Sequence, residues 1–241
     1  MSPEIIAQLA PRGVLRAGIN LSNFLLVTGR DAFGSPEGVS PDMVRAVAER
    51  LGVPLRLVPY ASPGLVADAV DTDSWDIALI GAEPQRAEKI AFTAAYAEIE
   101  STYLVPAGSP IATIADVDRP GVRIASTARA AYDLWLDRNI KHATLLRAEG
   151  LDGAFHLFTE QKLEALAGLR PRLLKDVELL PGARILEGQF SAVQQAIGTA
   201  RANTAGAAFL RDFVEEAKAS GLVARLIDKH GARGLSVAPA A

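Results

Sequence analysis

Short apolar runs alternate along the chain with stretches in which apolar residues recur every three or four positions. The first run, 14–19, predicts a strand. A helix over 40–51 follows, with Ser40 as its N-cap, Pro41 at its first position and Asp42 in its positive first turn. Met43, Val44, Val47, Ala48 and Leu51 supply its apolar stripe, and Gly52 ends it. Residues 55–60 read as a strand and 62–70 as a helix. The run 76–80 is apolar without alternation after Asp76, as a parallel strand covered on both faces requires. The rhythm then repeats. Extended 101–105 and a polar turn at 116–121 lead to a strand at 122–125, a helix at 128–138 and a strand at 143–147. A helix at 153–160 and a strand at 163–167 follow. A strand-like run at 193–197 precedes helices at 205–219 and 222–230, with a loose tail from 231. This pattern predicts an α/β protein whose mostly parallel sheets are flanked by helices, in two similar lobes.

Composition narrows the function classes. The 241 residues carry 25 Lys+Arg against 28 Asp+Glu, a net charge of −3, with no basic surplus to bind nucleic acid. The chain has no cysteine, which excludes disulfides and thiolate chemistry, and 3 scattered histidines (His142, His156, His230) offer no metal site. His156 is expected on an apolar helix face and His230 at a helix end, both in structural roles, with Trp75 and Trp135 as packing residues. No cofactor is expected, and a monomer is. No stretch approaches the ~18 apolar residues of a membrane span. The first residues lack a secretory pattern. The chain as written is therefore expected in the cytoplasm, and in the periplasm if it is a trimmed mature chain.

Ligands of open α/β sheets sit beyond the carboxyl ends of strands, against helix N-termini. Four such places carry suggestive residues. After the first strand, Asn20, Asn23 and Phe24 put hydrogen-bonding groups beside an aromatic ring. After 76–80, Gly81 allows close backbone approach, and Glu83-Pro84 open a short helix bearing Arg86. The planar fork of Arg86 suits a carboxylate. Ser126 and Thr127, between a strand and its helix, suggest an anion cradle or a simple cap. Leu169 and Arg170 follow 163–167. No nucleophile elbow, P-loop, zinc-protease helix or dinucleotide fingerprint is present.

In order and spacing, several segments resemble the type II periplasmic solute-binding proteins, specifically the polar amino-acid class of ABC-transporter binding proteins, extracellular solute-binding family 3. They are Gly13-Val14-Leu15-Arg16-Ala17-Gly18; Gly38-Val39-Ser40-Pro41-Asp42-Met43; Trp75-Asp76-Ile77-Ala78-Leu79-Ile80-Gly81; Arg86; and Phe92-Thr93-Ala94-Ala95-Tyr96. The resemblance implies a two-lobed fold with a two-crossover hinge, lobe 1 at 1–104 plus 193–241 and lobe 2 at 109–188. It implies closure on a ligand whose α-carboxylate is gripped by Arg86 and by backbone donors at Ala82 and Thr127. An aromatic ring at Asn23–Phe24 would stack on that ligand. Two positions depart from the family. Glu83 stands where the family usually has Thr. Leu169 stands where an Asp usually binds the ligand ammonium, and an apolar side chain cannot accept that hydrogen bond. Glu83 could supply the missing charge, or Arg170 could favour a second acidic group on the ligand.

The expected function is therefore binding of a small carboxylate, amino-acid-like or an organic acid. The chain would be the substrate-binding component of an ABC-type transport system, with its permease as partner, or a cytoplasmic relative. Two alternatives remain open. One is an enzyme on the same fold, similar to cyclohexadienyl or arogenate dehydratase, with Glu83 as general acid. The other is a ligand sensor that acts through a protein partner.

Overall fold

Residues 3–9, outside the predicted elements, form helix α1 (Pro3–Leu9): Pro3 sits at its first turn, and Ser2 caps it by accepting the Glu4 N–H. In the computed structural model, which describes residues 1–241, the elements then run in order. They are β1 (Leu15–Asn20), β2 (Gly29–Arg30), β3 (Pro36–Glu37), α2 (Val39–Leu51), β4 (Leu55–Tyr60), α3 (Pro63–Asp68), β5 (Ile77–Gly81), α4 (Pro84–Ala87), β6 (Ile90–Phe92) and β7 (Ala97–Val105). Next come β8 (Arg123–Thr127), α5 (Ala131–Asn139), β9 (Thr144–Ala148), α6 (Gly150–Glu160), β10 (Ala165–Leu169), α7 (Arg170–Asp176) and β11 (Arg184–Ile185). The chain ends with β12 (Ser191–Ala200), α8 (Thr204–Ala219), α9 (Leu222–Lys229) and β13 (Ser236–Val237).

These elements fall into two compact units, residues 1–98 with 194–241 and residues 99–193. In the first unit β1 pairs in parallel with β4 on one side and β5 on the other, and β12 joins β5 antiparallel. The apolar face of α2 buries Met43, Val44, Val47, Ala48 and Leu51 as the periodicity predicts. A second cluster gathers Val66, Trp75, Ala78, Ile80 and Ile90, with the Trp75 ring N–H donating to the Val66 carbonyl at 3.0 Å. In the second unit β8 pairs in parallel with β9 and β10, and β10 pairs antiparallel with β7. Its core comprises Leu104, Ala125, Ala154, Phe158, Leu163, Leu166 and Leu173. The mostly parallel α/β character is the one the patterning predicts.

Four local expectations are corrected. Helix α2 starts at Val39, with Gly38 as its N-cap at φ 150°. A Cβ there would overlap the Leu26 carbonyl and lie 2.8 Å from the Val27 Cα, so a close chain crossing, not a Ser40 cap, sets the helix entry. Ser40 instead lies inside the helix, its buried hydroxyl 3.0 Å from that of Tyr96. Helix α5 begins three residues later than predicted because Arg129 takes a left-handed conformation, φ 60°, and its N–H donates to Asp133 at 3.0 Å. Strand β10 is displaced from 163–167 to Ala165–Leu169. Leu163 belongs to the end of α6, where its N–H donates to the Phe158 carbonyl, so one apolar run is shared between a helix end and a strand. His156 is exposed and not on a packed face.

His230, at the end of α9, meets α2 through Asp42: the Asp42 Oδ2 lies 2.7 Å from His230 Nε2 and 2.7 Å from Lys229 Nζ, and its Oδ1 accepts from Arg45 at 2.5 Å. Burial alone would raise the Asp42 pKa, but the bonds from Lys229, His230 and Arg45 outweigh it and hold the carboxyl below the ordinary range. A depressed carboxyl stabilises the fold above its unfolded pKa and loses that contribution as pH falls through the folded one. Asp42→Asn should therefore flatten the fall of Tm below about pH 4. Unchanged acid sensitivity would show that the clasp between α2 and α9 does not drive it.

Candidate functional site

Adjacent parallel strands end on the same side of a sheet, so β1 and β5 deliver the loops after Asn20 and Gly81 to one end of the first unit's sheet. The two asparagines shape the first loop. Asn20 Oδ1 accepts from the Ser22 N–H at 3.1 Å and from its hydroxyl at 2.8 Å. Asn23, buried, accepts from the Leu25 N–H at 3.2 Å, an Asx turn that also positions half-buried Phe24.

At the end of β5, Pro84 starts the short α4, and the Glu83 backbone carbonyl accepts from both the Arg86 and Ala87 N–H at 2.9 Å. The Glu83 side chain occupies the N-cap position without making a cap bond. Glu83 and Arg86 are only 8% and 5% exposed. A buried guanidinium must be hydrogen-bonded; Arg86 Nη1 donates to the Gly81 carbonyl at 2.6 Å. That bond ties the side chain back to the strand from which its helix departs. The Ala82 N–H, a ligand donor in the resemblance, donates at 2.7 Å to the Gln194 carbonyl. That donor is thus engaged within the first unit.

In the second unit, β8 and β10 run in parallel and bring Ser126, Thr127, Leu169 and Arg170 to one end of the sheet. Ser126 and Thr127 prove to be the last residues of β8, with α5 starting only at Ala131. A turn at 128–130 therefore separates them from the helix. The Ser126 hydroxyl is enclosed and finds no partner, whereas Thr127 Oγ1 donates to the Gly150 carbonyl at 3.3 Å. Burial pushes the Tyr132 hydroxyl up to about 12, and hydrogen bonding with Thr127 tempers that rise.

Leu169 closes β10, 7% exposed and opposite Ser101 of β7. Arg170 opens α7 and is bonded locally. Its Nε donates to Glu100 at 2.6 Å, and its Nη2 donates to the Gly188 carbonyl. A local carboxylate already occupies the group expected to favour a second acid on the ligand.

An aromatic stack at this sheet escaped the sequence reading. Phe190 lies 4.6 Å from Tyr103 and 5.2 Å from Trp135, centroid to centroid, and its N–H donates to the Ser101 carbonyl at 3.0 Å. Phe190 sits in a segment without periodicity, so nothing local marks it. No group of three or more His, Asp or Glu is placed to hold a metal ion. No helix is long and apolar enough to cross a membrane.

The fold is shared with solved amino-acid-binding and periplasmic-binding-protein-like structures. A mutant of the arginine-binding protein ArgBP from T. maritima superposes with a TM-score of 0.74 at 22% identity, over 95% of this chain and 100% of the other. AncCDT-1, an ancestral amino acid-binding protein and precursor of cyclohexadienyl dehydratase, gives 0.73 at 20%, over 93% and 98%. A histidine kinase sensor domain similar to periplasmic binding proteins gives 0.75 at 15%, over 93% and 98%. Among curated proteins, no match was found. The profile of the bacterial extracellular solute-binding proteins, family 3, matches residues 18–233, and the chain belongs to that family.

Proposed function

We propose that this protein binds a small carboxylate that lacks a free α-ammonium group, as the substrate-binding component of an ABC-type importer working with its permease. The buried guanidinium of Arg86, tied to the end of β5, carries this reading. A cation withdrawn from water at the end of β5 suits a ligand carboxylate, which its planar fork can meet with two parallel bonds. Leu169 supports the second half of the proposal. It stands buried at a strand end, in the position where the family resemblance implies an Asp for a ligand ammonium, and Arg170 beside it is paired with Glu100.

A thermal-shift screen of amino acids, N-modified amino acids, hydroxy and keto acids and aromatic acids tests it. A ligand at ~100 times its Kd adds about 2.7 kcal/mol of stability. Acids without an ammonium group should give the shifts. Leu169→Asp should then bring in ordinary α-amino acids by roughly 10- to 100-fold, the worth of a charged hydrogen bond. A wild-type protein that prefers free amino acids would overturn the ligand class.

One further reading, a dehydratase-like enzyme with Glu83 as general acid, has the burial of that carboxyl beside Arg86 in its favour. A hit that is consumed during the screen would identify it.

A further inference from the structure

A cavity of about 360 Å³ lies wholly within the second unit, lined by the loop after β7, the end of α6 and the turn before β11. Leu163, in its lining, precedes the start of β10 by two residues, so the cavity sits at the opposite end of that strand from Leu169. Phe158 and Leu163 belong to the buried core of the unit, and half-buried Leu180 and Ala183 pack against the same core.

These walls offer carbon rather than hydrogen-bonding groups. The carbonyls of Pro106, Phe158, Thr159 and Leu180 already accept from the N–H groups of Ser109, Leu163, Lys162 and Ala183. The Thr159 hydroxyl donates to the Phe155 and His156 carbonyls of its own helix at 3.1 Å each. Lys162 is the only charged residue of the lining. Its backbone is left-handed, φ 49°, and its carbonyl accepts from Arg123 at 2.9 Å, while the side chain stays exposed. Glu164, the nearest acid after it in the chain, is balanced by Arg123, whose Nη2 donates to it at 2.8 Å. Glu160 and Glu178 are exposed outside the lining.

We propose that this cavity binds a small amphiphilic monocarboxylate, its apolar chain against Phe158, Leu163 and Leu180 and its carboxylate at Lys162. The volume suits about a dozen non-hydrogen atoms, at the ~30 Å³ that a molecule takes in liquid water. With so many wall groups spent, a sugar, a nucleotide or a peptide backbone would find few partners and lose those it had in water. An apolar chain loses nothing there and removes the exposed side of the core from water. This site is separate from the one at Arg86.

The test is a 1H–15N titration of the intact protein with octanoate, with octylammonium and butanoate as controls. Octanoate is expected to shift amides within 106–107, 158–163 and 180–183 and to bind at least tenfold more tightly than either control. Lys162→Asn removes the charge and suits the left-handed backbone, and should bring octanoate and octylammonium within about threefold of each other. The Arg86→Ala protein should bind octanoate at these amides as wild type does, so a failure of the carboxylate site at Arg86 leaves this result standing. Either control binding wild type as tightly as octanoate overturns the proposal, as does a head-group preference that survives Lys162→Asn. Absent shifts, or shifts spread over the whole surface, overturn it as well. Shifts lost in Arg86→Ala would also overturn it, assigning octanoate to the other site.

Discussion

Arg86→Ala is expected to weaken carboxylate binding by about 2 to 5 kcal/mol, roughly 30- to 5000-fold in Kd. The size follows from burial. Arg86 is 5% exposed and one of its nitrogens is committed to the Gly81 carbonyl, so truncation leaves a desolvated ligand carboxylate without its cation. Arg86→Lys keeps the charge but loses the planar fork, and should fall between the two. Calorimetric titration with the best hit of the ligand screen measures all three, and the Tm of each unliganded protein separates lost binding from lost folding. A well-folded Arg86→Ala protein that binds within tenfold of wild type would remove Arg86 from the site and leave the family assignment standing.

Asp76→Ala should cost about 3 to 5 kcal/mol of folding stability, because it strips the partner from a buried cation. Arg16 and Asp76 are 4% and 5% exposed. Asp76 Oδ2 accepts from the Arg16 backbone N–H at 2.8 Å and from Nε at 3.0 Å, and Oδ1 accepts from Nη2 at 2.6 Å. The bond to Asp76, with a second to Asp73, holds the Arg16 guanidinium charged well above its ordinary range. Without Asp76 the buried charge keeps only Asp73, which is largely exposed. The double change Arg16→Met with Asp76→Leu removes both charges and should cost less than Asp76→Ala alone. Urea unfolding at pH 7 measures the series. A single variant within 1 kcal/mol of wild type would mean that the pair matters little to stability.

Much of the first unit was legible because its signals are local. Strands β1, β4 and β5 and helix α2 appear within one or two residues of expectation, since β5, buried throughout, demands a continuous apolar run and α2 needs one apolar stripe. The position of Arg86 in a short helix opened by Pro84 was legible for the same reason. Boundaries failed where a distant segment decides. The start of α2 depends on the carbonyl of Leu26 meeting Gly38, and the start of β10 depends on Leu163 folding back onto α6.

The candidate residues divide along the same line. Residue types and order alone placed Glu83 and Arg86 after one strand and Leu169 at the end of another. They also carried the family resemblance, in segments such as 38–43 and 75–81. Which of these groups is occupied was decided by tertiary structure. Gln194, more than a hundred residues away, takes the Ala82 N–H, Glu100 takes Arg170, and Phe190 completes a stack with Tyr103 and Trp135. A hydrogen-bond partner or a ring contact between residues far apart in the chain has no period and no spacing. It exists only once the strands that carry its two halves have been brought side by side.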